Sequence, residues 1–225
     1  MDRTKWPGRR AALPVAVPGI KFILGAAFLT GVFFYLGWVA AGSVAAVVTL
    51  FITWFFRDPD RQVPEGDQWL VSPADGRVIR VDDGVDSEYL SGSFQKVSIF
   101  MNVFNVHVNR IPLDGVVEKA VYTPGRFINA SFDKASIYNE RNALTIRTSN
   151  GQRFVVVQIA GLIARRIVNC ANAGTRVHRG ERYGMIQFGS RLDLYLPPTC
   201  RIQVRKGDKT MAGVTVIGEM PSASS

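Results

Sequence analysis

Three scarcities organise this sequence. Cysteine occurs only as Cys170 and Cys200, neither with a partner at metal-ligand spacing, so no metal site and no disulfide framework is expected. Two packed, reduced thiols agree with a cytoplasmic compartment. Histidine is equally rare: His107 and His178 are the only two, so few side chains can exchange a proton near neutral pH. The third scarcity is charge, which is absent from Phe22 to Phe56. That run is longer than the 7–15 residue core of a secretion signal. It is too long for one ordinary span of about 20 residues and slightly short for two. It reads as a helical hairpin turning near Gly37 to Ser43, either crossing thinly or entering one leaflet.

Acidic residues are outnumbered, 18 to 27, leaving a net charge of +9. Arg3, Lys5, Arg9, Arg10 and Lys21 precede the apolar run, and Arg57 and Arg61 follow it. Basic flanks at both ends keep both on the inner side of the membrane, so a cell-membrane protein with its soluble part on the cytoplasmic face is expected. The basic balance suits an anionic surface or substrate. Nucleic acid is not an expected partner, because the basic residues are scattered and no binding motif accompanies them. The chain divides into a basic arm (1–21), the hairpin (22–56), a polar, proline-containing linker (57–68, RDPDRQVPEGDQ) and a soluble domain (69–225).

The soluble part reads as mainly β, a barrel or sandwich built from short apolar runs bounded by turn residues. Asn150-Gly151 is a hairpin signal between two such runs, and Asp75-Gly76 in SPADGR reads as a turn. Alternation through FNVHVNRIP puts Val103, Asn105, His107, Asn109 and Ile111 on one strand face, an unusually polar one. His107 is therefore a candidate acid or base, whereas His178 lies in a charged turn and reads as exposed. The stretch SFDKASIYNERN gathers Asp133, Lys134, Asn139, Glu140, Arg141 and Asn142. Such a cluster serves either as a solvated loop or as a binding loop for a charged head group.

RYGMIQFGSRLDLYLP reads as a strand interrupted by Gly189 and Ser190. A glycine there marks a bulge or a close approach. It also admits a sharper reading. The Ser190 hydroxyl can attack the Gly189 carbonyl and convert the peptide to an ester, given a base and donors for the oxyanion.

SPADGRV, FMNVFNVHVNRIP, DKASIYNERN and ERYGMIQFGSRLDLYLP, in that order behind a hydrophobic segment, resemble the short form of the phosphatidylserine decarboxylase proenzyme family. The likeness runs from Val63 to Gly218. It implies self-cleavage between Gly189 and Ser190 into a β chain (1–189) and an α chain (190–225), which stay together as a heterodimer. Ser190 would become a covalent pyruvoyl group, and the enzyme would decarboxylate phosphatidylserine, an anionic phospholipid, in the membrane. Ser190, His107 and Asp75 match the catalytic positions: the processing serine, an acid/base histidine and a charge-relay aspartate. Longer members carry a second histidine three residues after the first. This chain has Arg110 there, and arginine cannot act as a base. Either His107 takes both duties, or the strained bond reacts with less help from a base. The first is favoured, because an imidazole can act as base in one step and acid in the next. Lys134, Asn139, Arg141, Asn142 and Arg110 are the candidate substrate ligands. A different class of protein also carries turns like SPADG: a membrane-tethered, lipoyl-like or sugar-permease-like β-domain that binds a ligand or carrier group without covalent chemistry. A single uncut chain would support it.

Overall fold

A computed structural model of the 225-residue chain describes residues 14–126, 128, 130, 138–161, 167–187 and 189–221. Strand outweighs helix, 41% to 19%, which agrees with a mainly β chain carrying apolar helices at its N-terminal end. The chain divides into two compact units at Asp60/Arg61.

The first unit is helical. Pro18, locked in φ and lacking an N–H, opens a short 3-10 turn, Val17–Gly19, that leads into α1 (Ile20–Tyr35). Gly37, at φ +75°, reverses the chain, and α2 (Val39–Phe55) returns. Its tight turn closes with Trp38 N–H donating to Phe33 O at 2.9 Å. Between the helices Thr30 Oγ1 and Thr49 Oγ1 meet at 3.0 Å, a polar tie of the kind that holds helices together in lipid. The remaining surface is apolar and faces outward: Leu24, Phe28, Val47 and Leu50 are all exposed. Val17–Tyr35 is long and apolar enough to cross a membrane, and Val39–Phe55 is a shorter apolar helix. At 1.5 Å per residue the 16 residues of α1 span about 24 Å.

The second unit is built from fourteen strands among the described residues: β1 (Trp69–Val71), β2 (Gly76–Asp86), β3 (Ser93–Met101), β4 (Val108–Arg110), β5 (Gly115–Thr123), β6 (Arg141–Arg147), β7 (Arg153–Ala160), β8 (Ile167–Asn169), β9 (Arg176–Val177), β10 (Arg182–Ile186), β11 (Ser190–Leu196), β12 (Arg201–Ile202), β13 (Lys209–Thr210) and β14 (Val216–Glu219). Eight of them form one sheet in the order β13-β2-β3-β11-β7-β6-β5-β9; β4-β10-β8 and β1-β14-β12 form two smaller sheets. All the pairings are antiparallel.

The period-two rule explains the faces of the large sheet. Along β11, Leu192, Leu194 and Leu196 enter the main core with Ile99 and Val97 of β3 and Val156 of β7. The alternate residues turn to the other face, where Tyr195 joins Phe94, Val155, Val157 and Ile159 in a second cluster. Both faces are covered, so β11 is buried along its whole length. The Asn150-Gly151 signal is realised: Gly151 takes φ +81° in the turn that joins β6 to β7. Asp75-Gly76 does not make a hairpin. β1 pairs with β14 and β2 with β3 and β13, so this turn is a corner between two sheets.

Candidate active site

The interruption at Gly189 is a passage between sheets rather than a bulge in one strand. β10 ends at Ile186 in a three-stranded sheet, and β11 begins at Ser190 in the middle of the eight-stranded one. Gly189 makes the crossing with φ +56°, a left-handed conformation that glycine adopts without a Cβ penalty. Nothing lies within 4 Å of where its Cβ would stand, so backbone direction, not crowding, is what calls for glycine. Ser190 is fully buried between Met101 of β3 and Ala160 of β7.

Register carries the other candidates toward the same end of the sheet. Arg77, Phe100, Arg191, Ile159 and Arg141 form one row across five strands. One step along, Ser190 stands beside Met101, and Gly76 lies on the far side of β3 paired with Thr210. Ser190 and Gly76 are thus two strand spacings apart, about 10 Å. Asp75, just before Gly76, has both carboxylate oxygens engaged: Oδ1 accepts from Ala212 N–H at 2.7 Å and Oδ2 from Arg61 Nη2 at 3.0 Å.

His107 is fully buried. It follows a tight turn in which Asn105 N–H donates to Asn102 O at 3.0 Å, and only Val108–Arg110 is strand, so the polar alternation starts later than the sequence pattern suggests. The His107 carbonyl accepts from Ile186 N–H at 3.3 Å, beside the end of β10 and three residues before Gly189. Its Nδ1 lies 3.0 Å from Asn105 O. A carbonyl only accepts, so in the neutral ring Nδ1 carries the proton and Nε2 is the basic nitrogen.

The Ser190 hydroxyl contacts the Met101 sulphur at 3.8 Å, a weak acceptor that leaves the O–H easy to redirect. The same sulphur receives Asn109 Nδ2 at 3.6 Å. From Asn109 a chain of buried amides runs inward: Gln158 Nε2 donates to Asn109 Oδ1 at 2.9 Å, and Asn142 Nδ2 to Gln158 Oε1 at 3.2 Å. The three segments that carry Ser190, His107 and Asp75 therefore approach one end of the large sheet, but among the described residues no hydrogen bond joins Asp75 to Ser190. The guanidinium of Arg61 and the Ala212 amide occupy the carboxylate instead.

The expected substrate ligands separate. Arg141 lies on the face opposite Ser190, where Nε donates to Glu88 Oε1 and to Tyr89 Oη, each at 3.1 Å. Neighbours in a strand point to opposite faces, so Asn142 falls on the Ser190 face, bound to Gln158. Asn139 is buried and secures the backbone: it accepts from Ile128 N–H and donates to Ile128 O and Ala160 O. Arg110 sends Nη1 to Gly180 O at 2.8 Å, and its N–H donates to Pro73 O beside the SPADG corner. Lys134 lies outside the described residues.

Residues 48–218 match the family model described as phosphatidylserine decarboxylase. The chain belongs to this family. It is 52% identical over 207 residues to a protein of Syntrophus aciditrophicus (strain SB), covering 91% of this chain and 96% of the relative. A relative from Solidesulfovibrio magneticus is also 52% identical over 206 residues, covering 91% and 95%. One from Geotalea daltonii is 47% identical over 210 residues, covering 93% and 98%. All three are named phosphatidylserine decarboxylase proenzyme. Membership does not favour a carrier-type β-domain without covalent chemistry.

Around this candidate site, sequence reasoning passed over three residues. Arg61 reads as one more flanking cation until the fold brings it to Asp75. Gln158 stands out in FVVVQIA only as a polar break in an apolar run. Gly161 ends that run, and a Cβ there would meet the Gly189 carbonyl oxygen at 2.0 Å. The available signal is glycine at a strand end, which marks close backbone approach.

Proposed function

We propose that this chain is a membrane-tethered, self-processing decarboxylase that converts phosphatidylserine to phosphatidylethanolamine and carbon dioxide in phospholipid biosynthesis. The observation that carries the reading is the Gly189-Ser190 bond, a left-handed glycine joined to a buried serine at a passage between sheets, in a member of a family whose relatives are named proenzymes.

In the cleavage, Ser190 Oγ replaces the Ser190 nitrogen on the Gly189 carbonyl carbon. Elimination then releases the Gly189 carboxylate with loss of the Ser190 α-proton. Uptake of water and release of ammonia leave a pyruvoyl carbonyl at the head of the α chain (190–225). The surroundings fit such a group: Ser190 opens a strand paired on both sides, by β3 and β7, so a carbonyl formed there stays in register. When present, such a group would supply an electrophile for the substrate amine and a sink for the electron pair left as carbon dioxide departs.

The chain's own residues supply the rest. His107, with Nε2 as its basic nitrogen, takes the Ser190 hydroxyl proton during cleavage and later returns a proton to the substrate carbon. Asp75, held by Arg61 and Ala212, fixes the SPADG corner and keeps a negative charge near the site. Arg110 and Lys134 serve as head-group cations, with Asn142 supporting the interior through Gln158. Asn139 positions backbone and Arg141 faces away, so neither belongs in this set. The β chain (1–189) retains the apolar helices, with the catalytic unit on the cytoplasmic face, and β11 keeps the α chain bound in the middle of the large sheet as a heterodimer.

Intact mass tests this. The purified protein should show two chains, the smaller blocked at its N-terminus and lighter by one ammonia than a serine-initiated peptide. Ser190→Ala should leave one chain without decarboxylase activity. A single uncut chain in active membranes would overturn the reading.

A further inference from the structure

Two glycines meet at the bond to be cut, for different physical reasons. Gly189 has open space around it and needs glycine for its φ of +56°. Gly161 has no left-handed φ but no room: a Cβ would stand 2.0 Å from the Gly189 oxygen and 2.9 Å from the Gly189 carbon, with Ala130 Cβ behind at 3.3 Å. The carbonyl group that must change from trigonal to tetrahedral is therefore seated directly on the Gly161 backbone.

Strand geometry adds the direction of the Gly161 amide. Ala160 N–H donates to Glu140 O at 2.9 Å, and Ala160 O accepts from Asn139 Nδ2 at 2.7 Å. Both groups of Ala160 thus point toward the β6 side. Successive residues of an antiparallel strand alternate, so the Gly161 N–H turns toward the β11 side, where the Gly189 oxygen sits. Asn139, first read as a substrate ligand, pins this arrangement by its grip on Ala160.

We propose that Gly161 is the positioning residue of the self-cleavage: its missing side chain seats the scissile carbonyl, and its N–H faces the oxygen as charge develops there. The inference rests on the self-processing reading above. In the step, the Ser190 O–H adds to the Gly189 carbonyl carbon, its proton passes to His107, and the carbonyl π pair moves onto oxygen. When that pair returns, the C–N bond breaks, the Ser190 nitrogen takes up a proton, and an ester joins Gly189 to Ser190 Oγ. A donor aimed at the oxyanion lowers the barrier most when it is already in place.

The test is Gly161→Ala in the full chain, with cleavage followed over time by intact mass across a pH series, and with fold checked by thermal melting and trypsin resistance against Ser190→Ala. A methyl in this seat displaces the carbonyl by an ångström or so, and misplacement on that scale slows reaction about 10²-fold. The expected result is a folded chain cleaved about 100-fold more slowly, with the midpoint of its pH profile unchanged, because the base is untouched. A general disturbance of the site would move that midpoint. Should Gly161→Ala not fold, Gly161→Ala/Ala130→Gly eases the packing behind the methyl, at 3.3 Å, while the overlap with the carbonyl oxygen at 2.0 Å stays. That variant, folded and slow, supports the proposal. Cleavage within twofold of the natural chain in any folded variant overturns it, and so does loss of fold in both variants, which would make Gly161 a packing residue. Absence of cleavage in the natural chain would instead sink the self-processing reading itself.

Discussion

One residue after the bond proposed for cleavage, the large sheet carries a buried ion cluster. Arg191 is 1% exposed, and its Nε and Nη2 meet Asp193 Oδ1 and Oδ2 at 2.6 and 3.0 Å. Nη2 also donates to Ser98 Oγ at 3.0 Å, and Lys96 Nζ reaches Asp193 Oδ2 at 3.1 Å. Burial is the largest single influence on Lys96 and pulls its pKa down, but the Asp193 carboxylate and the Tyr195 hydroxyl together outweigh it and the net direction is up. Arg191→Met leaves Asp193 buried with one cation, and breaking such a pair costs about 3–5 kcal/mol. Asp193→Leu strands Arg191 and should cost as much. The double variant replaces the pair with apolar groups of similar size, a change that is often close to neutral; Lys96, 10% exposed at its side chain, can then extend to water. The two singles should therefore couple by about 3 kcal/mol. All variants belong in a Ser190→Ala background, which keeps one chain, and the transition followed is that of the strand-built unit beginning at Arg61. Pulse proteolysis along a urea series reads the midpoint. With a slope of about 2 kcal/mol/M, each single variant should lower it by about 1.5–2.5 M, and the double variant by far less than the sum. Additive effects, or singles within 1 kcal/mol of the parent, would refute the reasoning.

Two further outcomes follow from the same geometry. Arg141→Ala should leave the Michaelis constant for phosphatidylserine within twofold, since its guanidinium pairs with the half-exposed Glu88 on the far face; a tenfold rise in initial-rate assays would restore it as a head-group ligand. Burial pushes the Cys170 and Cys200 thiols up to about 11 and about 12. With folded values above the unfolded value of about 8.5, thiolate formation favours the unfolded chain. This contribution is complete below pH 8.5 and is lost as pH rises through the folded values, so the urea midpoint should fall across that window more steeply than in a Cys170→Ala/Cys200→Ala chain. Identical slopes would refute the burial argument.

Local features were legible without a structure. An uncharged run, an Asn-Gly turn and a Gly-Ser pair are properties of neighbouring residues, and the helices, the β6-β7 hairpin and the proposed scission site sit where those features stand. The family likeness rested on short motifs in fixed order, which sequence also carries. What composition and spacing left open was which residues share a site. Arg141 and Asn142 are adjacent yet face opposite sides of one sheet, and only the pairing of β6 with β7 settles which of them meets Gln158. Arg61 and Asp75, or Gly161 and Gly189, come together through strand register and the corners between sheets. The sequence by itself determined the chemistry at hand: a serine after a glycine, a scarce histidine between two asparagines, a long uncharged apolar run. Tertiary structure decided the geometry, because hydrogen-bonded register transmits position across strands, and no local pattern of side chains encodes which distant strand will lie alongside.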